Sequence, residues 1–368
     1  MIQWRRGVVV EVRSRWAGAV EYAVRLASDE VVRALGYVEV VGDLRPGTAV
    51  LLNTTALERG LGTGGLAIVV AAPDALPRPV DDVGAVLGHV VKARYTPLQA
   101  MVLGVDEQES PHHEALSDAD AIDGLPVVTA DLHSAVPAIV AGIRASRPDA
   151  RVVYVMTDGG ALPIAFSRTV AGLREAGWLA ASVTVGQAFG GDLEAVNVHT
   201  GLLATARVLG ADVAIVAQGP GNLGTGTRWG FSGVATGEVV NACATLGGRA
   251  VASLRVSEAD PRERHRGISH HSLTAYGRVA LAPADVPVPL LGGDFGAQVL
   301  DEARELTDAT QGRLRLHEVE VDGLDAALAS SPVRLSTMGR GPEQDRASFL
   351  AAAAAGRYAA TLLEDLPT

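Results

Sequence analysis

The feature that most constrains this chain is an apolar run followed directly by a polar or glycine-rich cluster, a pairing that recurs along the sequence. The runs have the length and β-branched composition of buried strands. PVVTA precedes residues 131–134, RVVYVM precedes 157–160, ASVTV precedes 186–192, DVAIVA precedes 218–227, and RAVASLRV precedes a stretch dense in arginine and histidine. In open α/β sheets ligands bind at the carboxyl ends of the strands, so we expect these clusters to converge on one site.

The spacing of these runs predicts the fold. Strands expected near 126–130, 151–156, 181–186, 212–217 and 249–256 alternate with helix-like segments near 134–147, 161–176, 192–209 and 232–247. Helical connections of this length predict right-handed crossovers and a mostly parallel sheet. The runs are apolar throughout, as expected where helices cover both faces. We therefore predict a Rossmann-like, three-layer α/β domain over residues 76–292, with 293–368 as a C-terminal α/β extension packed on it.

Residues 1–75 follow a different pattern. Short β-branched runs alternate with turn signals and show no helical periodicity, as in GVVVEVRS, VEYAVRLA and TAVLLNTT. Five such runs predict a small all-β, barrel-like domain. We expect this module to serve docking or assembly, and a homodimer formed through it is one hypothesis.

Composition narrows the class of protein. The net charge of -11, with acidic and basic residues interspersed, argues against binding to duplex nucleic acid. No signal peptide and no apolar run of about 18 residues is evident, so we expect a cytoplasmic protein without a membrane partner. The single cysteine, Cys243, excludes intrachain disulfides and is expected to be a buried apolar residue. Lys92 is the only lysine and is interpreted as a surface residue on a connecting strand. The alternative is that its segment forms one wall of a ligand site between the domains.

The glycine-rich loop after DVAIVA is a candidate anion site, because consecutive backbone N–H groups ahead of a helix can wrap an anion. It lacks the Lys-Ser/Thr of a P-loop and the position of a dinucleotide fingerprint. The alternative is a turn that allows close packing. The predicted ligand-binding residues of this loop are Gly219, Gly221, Asn222, Gly224, Thr225, Gly226 and Thr227.

Residues 257–272 are the densest run of ionisable side chains and hold three of the nine histidines. Arg264 and Arg266 could bind a carboxylate or phosphate through forked hydrogen bonds. His270 or His271 could act as general acid or base near neutral pH. The alternative is a solvated charged loop.

A divalent metal ion is the predicted cofactor, if the protein has one. Asp131 and His133 occupy alternate positions at a strand end and could share a face. With Asp192 they form the predicted ligand set, and Asp158 joins His133 as a further catalytic candidate that would orient a water or the metal. Asp131 and Asp192 could instead cap helices. His199 is interpreted as a packed core residue.

The segments DLHS, MTDGGALP, GQAFGGDLEAVNVHTGL, GPGNLGTGT and RHRGISHHS resemble a bacterial family of unknown function, found chiefly in Gram-positive lineages. The resemblance extends over most of the chain. It implies no established reaction, cofactor or partner, so the roles of single residues rest on their chemistry and position.

These observations favour an enzyme, a hydrolase or group transferase acting on a small anionic or phosphorylated metabolite at the carboxyl edge of the sheet. Redox chemistry is disfavoured because the dinucleotide fingerprint is missing and aromatic content is only 4%. The alternative is a non-catalytic metabolite-binding or regulatory protein. Loss of turnover with retained ligand affinity in a His270 or His271 variant would distinguish the two.

Overall fold

The computed structural model describes residues 2–61, 64–77 and 88–364, and the chain folds into two compact units. Unit 1 comprises Met1–Leu87, Thr96–Leu98 and Ala165–Ala171. Unit 2 comprises Gly88–Tyr95, Gln99–Ile164 and Gly172–Thr368. The predicted division at residues 75 and 292 stays a prediction.

Unit 1 contains a closed five-stranded barrel, which confirms the predicted N-terminal all-β domain. Its strands are β1 Trp4–Trp16, β2 Ala19–Leu26, β3 Val31–Tyr37, β4 Ala49–Asn53 and β5 Ala67–Ala71, with short helices α1 Val38–Val41 and α2 Thr55–Glu58. The order around the barrel is β1-β2-β3-β5-β4, and β3 and β5 form the one parallel pair. This is the topology of the OB fold.

The barrel closes because β1 is long enough to pair with both β2 and β4. Register shifts between Val9 and Glu11 and between Val12 and Ser14 bend this strand, as bulges do at barrel corners. Val20, Tyr22 and Val24 alternate into the core, where the Tyr22 hydroxyl accepts a hydrogen bond from the Leu44 N–H (3.1 Å).

Unit 2 is built on an eight-stranded, all-parallel sheet, which confirms the predicted α/β class. The remaining strands of the described residues are β6 Val90–Lys92, β7 Ala100–Val102, β8 Pro126–Ala130, β9 Val152–Thr157, β10 Ala181–Thr184, β11 Leu193–Glu194, β12 Val213–Gln218, β13 Arg249–Ala252, β14 Val256–Ser257, β15 Gly267–Ile268, β16 Ala284–Pro289 and β17 Leu314–Val319. The sheet order is β11-β10-β9-β12-β8-β13-β16-β17, while β6–β7 and β14–β15 form two small antiparallel pairs.

Helices connect the strands of the sheet. Beyond the barrel the helices are α3 His113–Leu116, α4 Val136–Ser146, α5 Arg168–Glu175, α6 Val198–Arg207, α7 Thr236–Thr245, α8 His270–Thr274, α9 Gly293–Asp308, α10 Leu324–Ala329 and α11 Arg346–Thr361. From β8 the chain moves one way across the sheet through α4, and from β11 and β12 it returns through α6 and α7. Because such crossovers are right-handed, these two directions place α4 on one face and α6 and α7 on the other.

The reversal of direction falls between β8 and β12, which are neighbours in the sheet. The chain leaves β8 toward the face of α4 and leaves β12 toward the face of α7. Such a switch point is where open α/β sheets bind ligands.

Helices α4 and α11 cross at unusually short range, because each has a glycine at the contact. A Cβ added at Gly142 would lie 1.9 Å from the Ala353 carbonyl oxygen, and one added at Gly356 would lie 2.0 Å from that of Ile139. Helix α11 is rich in alanine, and its alanines are buried rather than solvated.

Several elements differ from their predictions. The helix expected over 161–176 begins at Arg168, and the strand expected over 249–256 ends at Ala252. The helix expected from residue 192 begins at Val198, because residues 193–194 add strand β11 to the sheet edge and Asn197 caps the helix by accepting from the Thr200 N–H (3.0 Å). Strand β16 was not predicted, since Pro287 and Pro289 argue against a strand. The prolines occupy alternate positions, so their missing N–H groups fall on one side of the strand.

No helix among the described residues has both the length and the apolar character needed to span a bilayer.

Candidate functional site

Three side chains from distant parts of the chain meet beyond the carboxyl ends of β8 and β13. Asp131 follows β8, Arg255 follows β13, and His271 lies in the first turn of α8. His271 Nδ1 lies 3.3 Å from Asp131 Oδ2 and 3.4 Å from Arg255 Nη1, and all three side chains are buried. Because a carboxylate oxygen only accepts, we assign the Nδ1 proton of His271 to the bond with Asp131.

The imidazole of His271 is also held by an aromatic stack. The Phe231 ring lies parallel to it, with 3.7 Å between ring centroids and an interplanar angle of 3°. Phe231 closes the glycine-rich loop that follows β12. The ring of His271 is therefore fixed by a hydrogen bond at its edge and by a packed face, which leaves its orientation little freedom.

His265 and His270 complete a cluster of three imidazoles with His271. The ring centroids are 4.9 Å apart for His265–His270, 4.9 Å for His265–His271 and 4.5 Å for His270–His271. One ligand nitrogen from each ring lies within 4.8 Å of the other two. His265 Nδ1 is 2.7 Å from the Ser269 hydroxyl, whereas the buried Nε2 of His270 has no hydrogen-bond partner.

Burial and positive charge keep two of these rings neutral. Burial, reinforced by the Arg255 guanidinium, lowers the pKa of His265 to about 3. Burial, reinforced by His271 and Arg264, lowers the pKa of His270 to about 4. Both rings therefore carry an unprotonated nitrogen at neutral pH, which is the form that accepts a proton or binds a metal.

A balanced charge network supports the loop that carries this cluster. Asp260 binds Arg262 through two contacts of 2.9 Å and also pairs with Arg340 (3.2 Å) and Arg255 (3.6 Å). Arg340 Nε reaches Asp345, which accepts from the Ser257 hydroxyl (2.6 Å). Burial alone would raise the pKa of Asp260, but Arg262 outweighs it and holds that pKa far below the usual range.

The glycine-rich loop folds back on itself. The Thr225 N–H donates to the Gly230 carbonyl (2.7 Å), and the Ser232 hydroxyl donates to the Asn222 side chain (2.8 Å). Gly226 faces Arg264, since a Cβ added there would lie 3.6 Å from Nη2 of the arginine. The loop and Arg264, two separate predictions of an anion site, therefore lie next to each other.

The remaining glycines of the loop have different surroundings. Gly219 packs on the loop after β9, where an added Cβ would lie 2.4 Å from the Ala161 carbonyl oxygen, so the close-packing interpretation applies to it. Gly221 and Gly224 face open space. At the tip, Leu223 and Trp229 are 72% and 56% exposed.

The other predicted site residues have hydrogen-bond partners outside the histidine cluster. His133 is buried, with Nδ1 3.0 Å from the Tyr154 hydroxyl, and burial lowers its pKa to about 4. Asp158 accepts from the Gln187 N–H (2.8 Å). Asp192 accepts from the Ser182 N–H (2.7 Å) and Arg174 (2.7 Å). Within the described residues, each of the two groups with metal-ligand spacing is formed by other residues.

Two interpretations of single residues are wrong. Lys92 is 1% exposed, and its ammonium donates to the carbonyls of Ala195 (2.8 Å) and Ala188 (3.0 Å). It also lies 3.4 Å from Glu194 Oε2, and burial lowers its pKa. His199 is exposed in the first turn of α6 rather than packed in the core, because the helix begins later than predicted.

Sequence reasoning missed Arg255, Arg340 and His265 as members of the site. Arg255 ends an apolar run and carries no motif, and Arg340 approaches from a part of the chain 80 residues beyond its partner Asp260. His265 could have been found, since it stands five residues before the adjacent His270 and His271.

Fold and site together define an α/β protein with a polar, histidine- and arginine-lined site at the carboxyl edge of a parallel sheet, joined in one chain to a barrel of OB topology. The model of the family described as "Protein of unknown function (DUF3866)" matches residues 33–356, and the chain belongs to this family. The searches of curated proteins and of solved structures gave no match.

Proposed function

We propose that this protein is an enzyme, a hydrolase or group transferase that acts on a small anionic or phosphorylated metabolite at the carboxyl edge of the sheet in unit 2. The observation that carries the proposal is the meeting of Asp131, Arg255 and His271, which come from three separate elements. An imidazole oriented by a carboxylate is a recurring part of catalytic sites.

The arginines around the cluster support an anionic substrate. Arg264 and Arg266 are both exposed, and Arg264 lies near His270, while Arg255, Arg262 and Arg340 are paired with aspartates. The two exposed guanidinium groups can therefore bind a carboxylate or phosphate through two parallel hydrogen bonds. The backbone of the 219–227 loop would supply further donors to the same anion.

The test uses three artificial esters: p-nitrophenyl phosphate, bis(p-nitrophenyl) phosphate and p-nitrophenyl acetate. We expect the wild type to release p-nitrophenol from at least one of them. His271→Ala should lower kcat by about 10²–10⁴-fold with the fold retained. The double variant Arg264→Ala/Arg266→Ala should mainly raise KM. His199→Ala is the matched control, an exposed histidine in the same unit, and should be unchanged.

One result would favour the regulatory alternative. If none of the esters turns over, while inorganic phosphate raises the melting temperature of the wild type and not of the double arginine variant, the site binds anions without catalysis.

We also propose a cytoplasmic location and a homodimer formed through the barrel. The location is supported by the composition, with a net charge of -11 and charged residues spread along the chain. Gel filtration with light scattering tests the dimer, and a monomer at micromolar concentration would contradict it.

A further inference from the structure

We propose that His265, His270 and His271 form a binding site for one divalent transition-metal ion, best suited to zinc. The inference rests on the proposed function only for the use of the metal, which would activate the water that attacks the substrate. The site itself stands on the geometry of the cluster.

The spacing of the rings fits a single ion. In tetrahedral zinc sites the bonds to histidine are about 2.0–2.1 Å, which places ligand nitrogens about 3.3 Å apart. One nitrogen of each ring, Nδ1 or Nε2, already lies within 4.8 Å of one nitrogen of each of the other two rings. Small rotations of the His265 and His270 rings toward the fixed ring of His271 would therefore bring the three nitrogens to bonding distance.

The hydrogen bonds of the rings leave one nitrogen of each for the metal. Nδ1 of His265 is engaged by Ser269 and Nδ1 of His271 by Asp131. Metal-binding histidines characteristically use one nitrogen for the ion and the other for such a partner, often a carboxylate. Nε2 of His270 is buried without a partner, a state that costs free energy and that a metal ion would relieve.

The buried arginines around the cluster are paired with aspartates, while Arg264 adds positive charge beside His270. Arg255, Arg262 and Arg340 form ion pairs with Asp131, Asp260 and Asp345, so the three positive groups are matched by three negative ones. The other group with metal-ligand spacing, formed by His89, Glu107 and Glu109, is less favourable. There His89 is largely exposed and already paired with Glu107 (2.6 Å).

Zinc held by three histidines is typical of catalytic rather than structural sites, in which the fourth position is kept for water or substrate. A water in that position loses a proton near neutral pH and becomes the nucleophile. In hydrolysis of a phosphate ester, the hydroxide oxygen would bond to phosphorus, the bond from phosphorus to the ester oxygen would break, and the leaving alcohol would take up the proton that the water released.

The test measures metal binding by the full chain, free of any affinity tag and stripped with a chelator. Zn²⁺ is titrated in competition with a chromophoric chelator, and Co²⁺ is added to a second sample. We expect one equivalent of Zn²⁺ and the intense visible absorption of four-coordinate Co²⁺. His270→Ala and His271→Ala should each weaken Zn²⁺ binding at least 100-fold, while Asp131→Asn, which spares the proposed ligands, should weaken it about 10–100-fold. His199→Ala should bind as the wild type does.

Circular dichroism and thermal melting show which variants are folded. His265 is 1% exposed, so His265→Ala could unfold the loop and is judged only if it melts cooperatively. His270 is partly exposed, which makes His270→Ala the safer variant. Less than one equivalent bound by folded wild type, or full affinity in folded His270→Ala, would overturn the metal site.

Metal binding and ester turnover, measured on the same protein, distinguish the proposed metal site from the proposed enzyme activity. Stoichiometric Zn²⁺ without turnover of the p-nitrophenyl esters would leave the metal site standing and count against the enzyme. Turnover that persists after the chelator has removed all metal would support the enzyme and refute the metal-activated water.

Discussion

Glu21 is a buried carboxylate of the barrel, 3% exposed, and its charge is compensated by arginines. Arg33 donates to both of its oxygens, at 2.7 and 3.3 Å, Arg168 pairs with it as well, and Arg13 lies 3.6 Å away. The hydrogen bond from Arg33 lowers the pKa of Glu21 more than burial raises it. The folded state therefore binds this proton less readily than the unfolded chain does.

The barrel should lose stability in acid because of this group. Above the unfolded pKa of about 4.3, the lowered pKa contributes its full stabilisation, which is lost as the pH falls through the folded value. We expect Glu21→Gln to lower the free energy of unfolding by about 1–3 kcal/mol at neutral pH, and by progressively less toward pH 3. Urea unfolding followed by circular dichroism at several pH values measures this.

The control is Glu11→Gln, which alters an exposed carboxyl of β1 in the same barrel. It should change neither the stability nor its pH profile by more than about 0.5 kcal/mol. Equal pH profiles for the wild type and Glu21→Gln would contradict the role given to the Arg33 pair.

At the scale of elements, the contact between α4 and α11 depends on the absence of two side chains. Gly142 of α4 and Gly356 of α11 each face backbone of the other helix, so neither contact can be relieved by rotating a side chain. The two helices approach closely only because both positions lack a Cβ.

Gly142→Ala should destabilise unit 2 although alanine is the better helix former. The gain in helix propensity is about 1 kcal/mol, whereas forced separation of packed helices costs more. We expect a net loss of about 1–3 kcal/mol in urea unfolding. Gly172→Ala is the control for a helical glycine. Its added Cβ would meet a side-chain methyl group of Val333, which can move, rather than backbone atoms. A stabilised Gly142→Ala would show that the helices separate freely.

The elements that could be predicted from sequence are those with a strong local signal. Strands β8, β9, β10 and β12 lie where the apolar runs place them, since a strand buried on both faces needs such a run. β16 could not be predicted because Pro287 and Pro289 give the opposite local signal. The start of α6 was missed because two residues join the sheet edge first, a contact that no local pattern encodes.

At the scale of the whole molecule, the sequence indicated the edge of the sheet but not the arrangement of the site. Polar clusters after strands predicted convergence, and Asp131 and His271 do lie together. Asp158 and Asp192 are also aspartates in polar clusters that follow predicted strands. Each of them nevertheless accepts a hydrogen bond from a residue outside the histidine cluster. Which clusters meet depends on strand order, and the insertion of β12 between β9 and β8 has no local signature.

The burial of Lys92 leads to a prediction about the whole chain. An amine-reactive ester should leave Lys92 unmodified in the native protein, because its ammonium is 1% exposed and bonded to carbonyl oxygens. After unfolding in urea the same reagent should modify it fully. Peptide mass spectrometry measures both, with the α-amino group as the control for active reagent. Rapid modification of Lys92 in native protein would contradict its burial.

Lys92 is the only lysine of the chain, so each molecule has a single lysine amine, and that amine is buried. Every acyl group found on that amine then marks one molecule that has opened around β6. When opening and closing are fast compared with acylation, the labelling rate divided by that of a free amine gives the fraction of open molecules. Acylation of Lys92 therefore reports local opening at a single site of the native protein, and no probe residue has to be added.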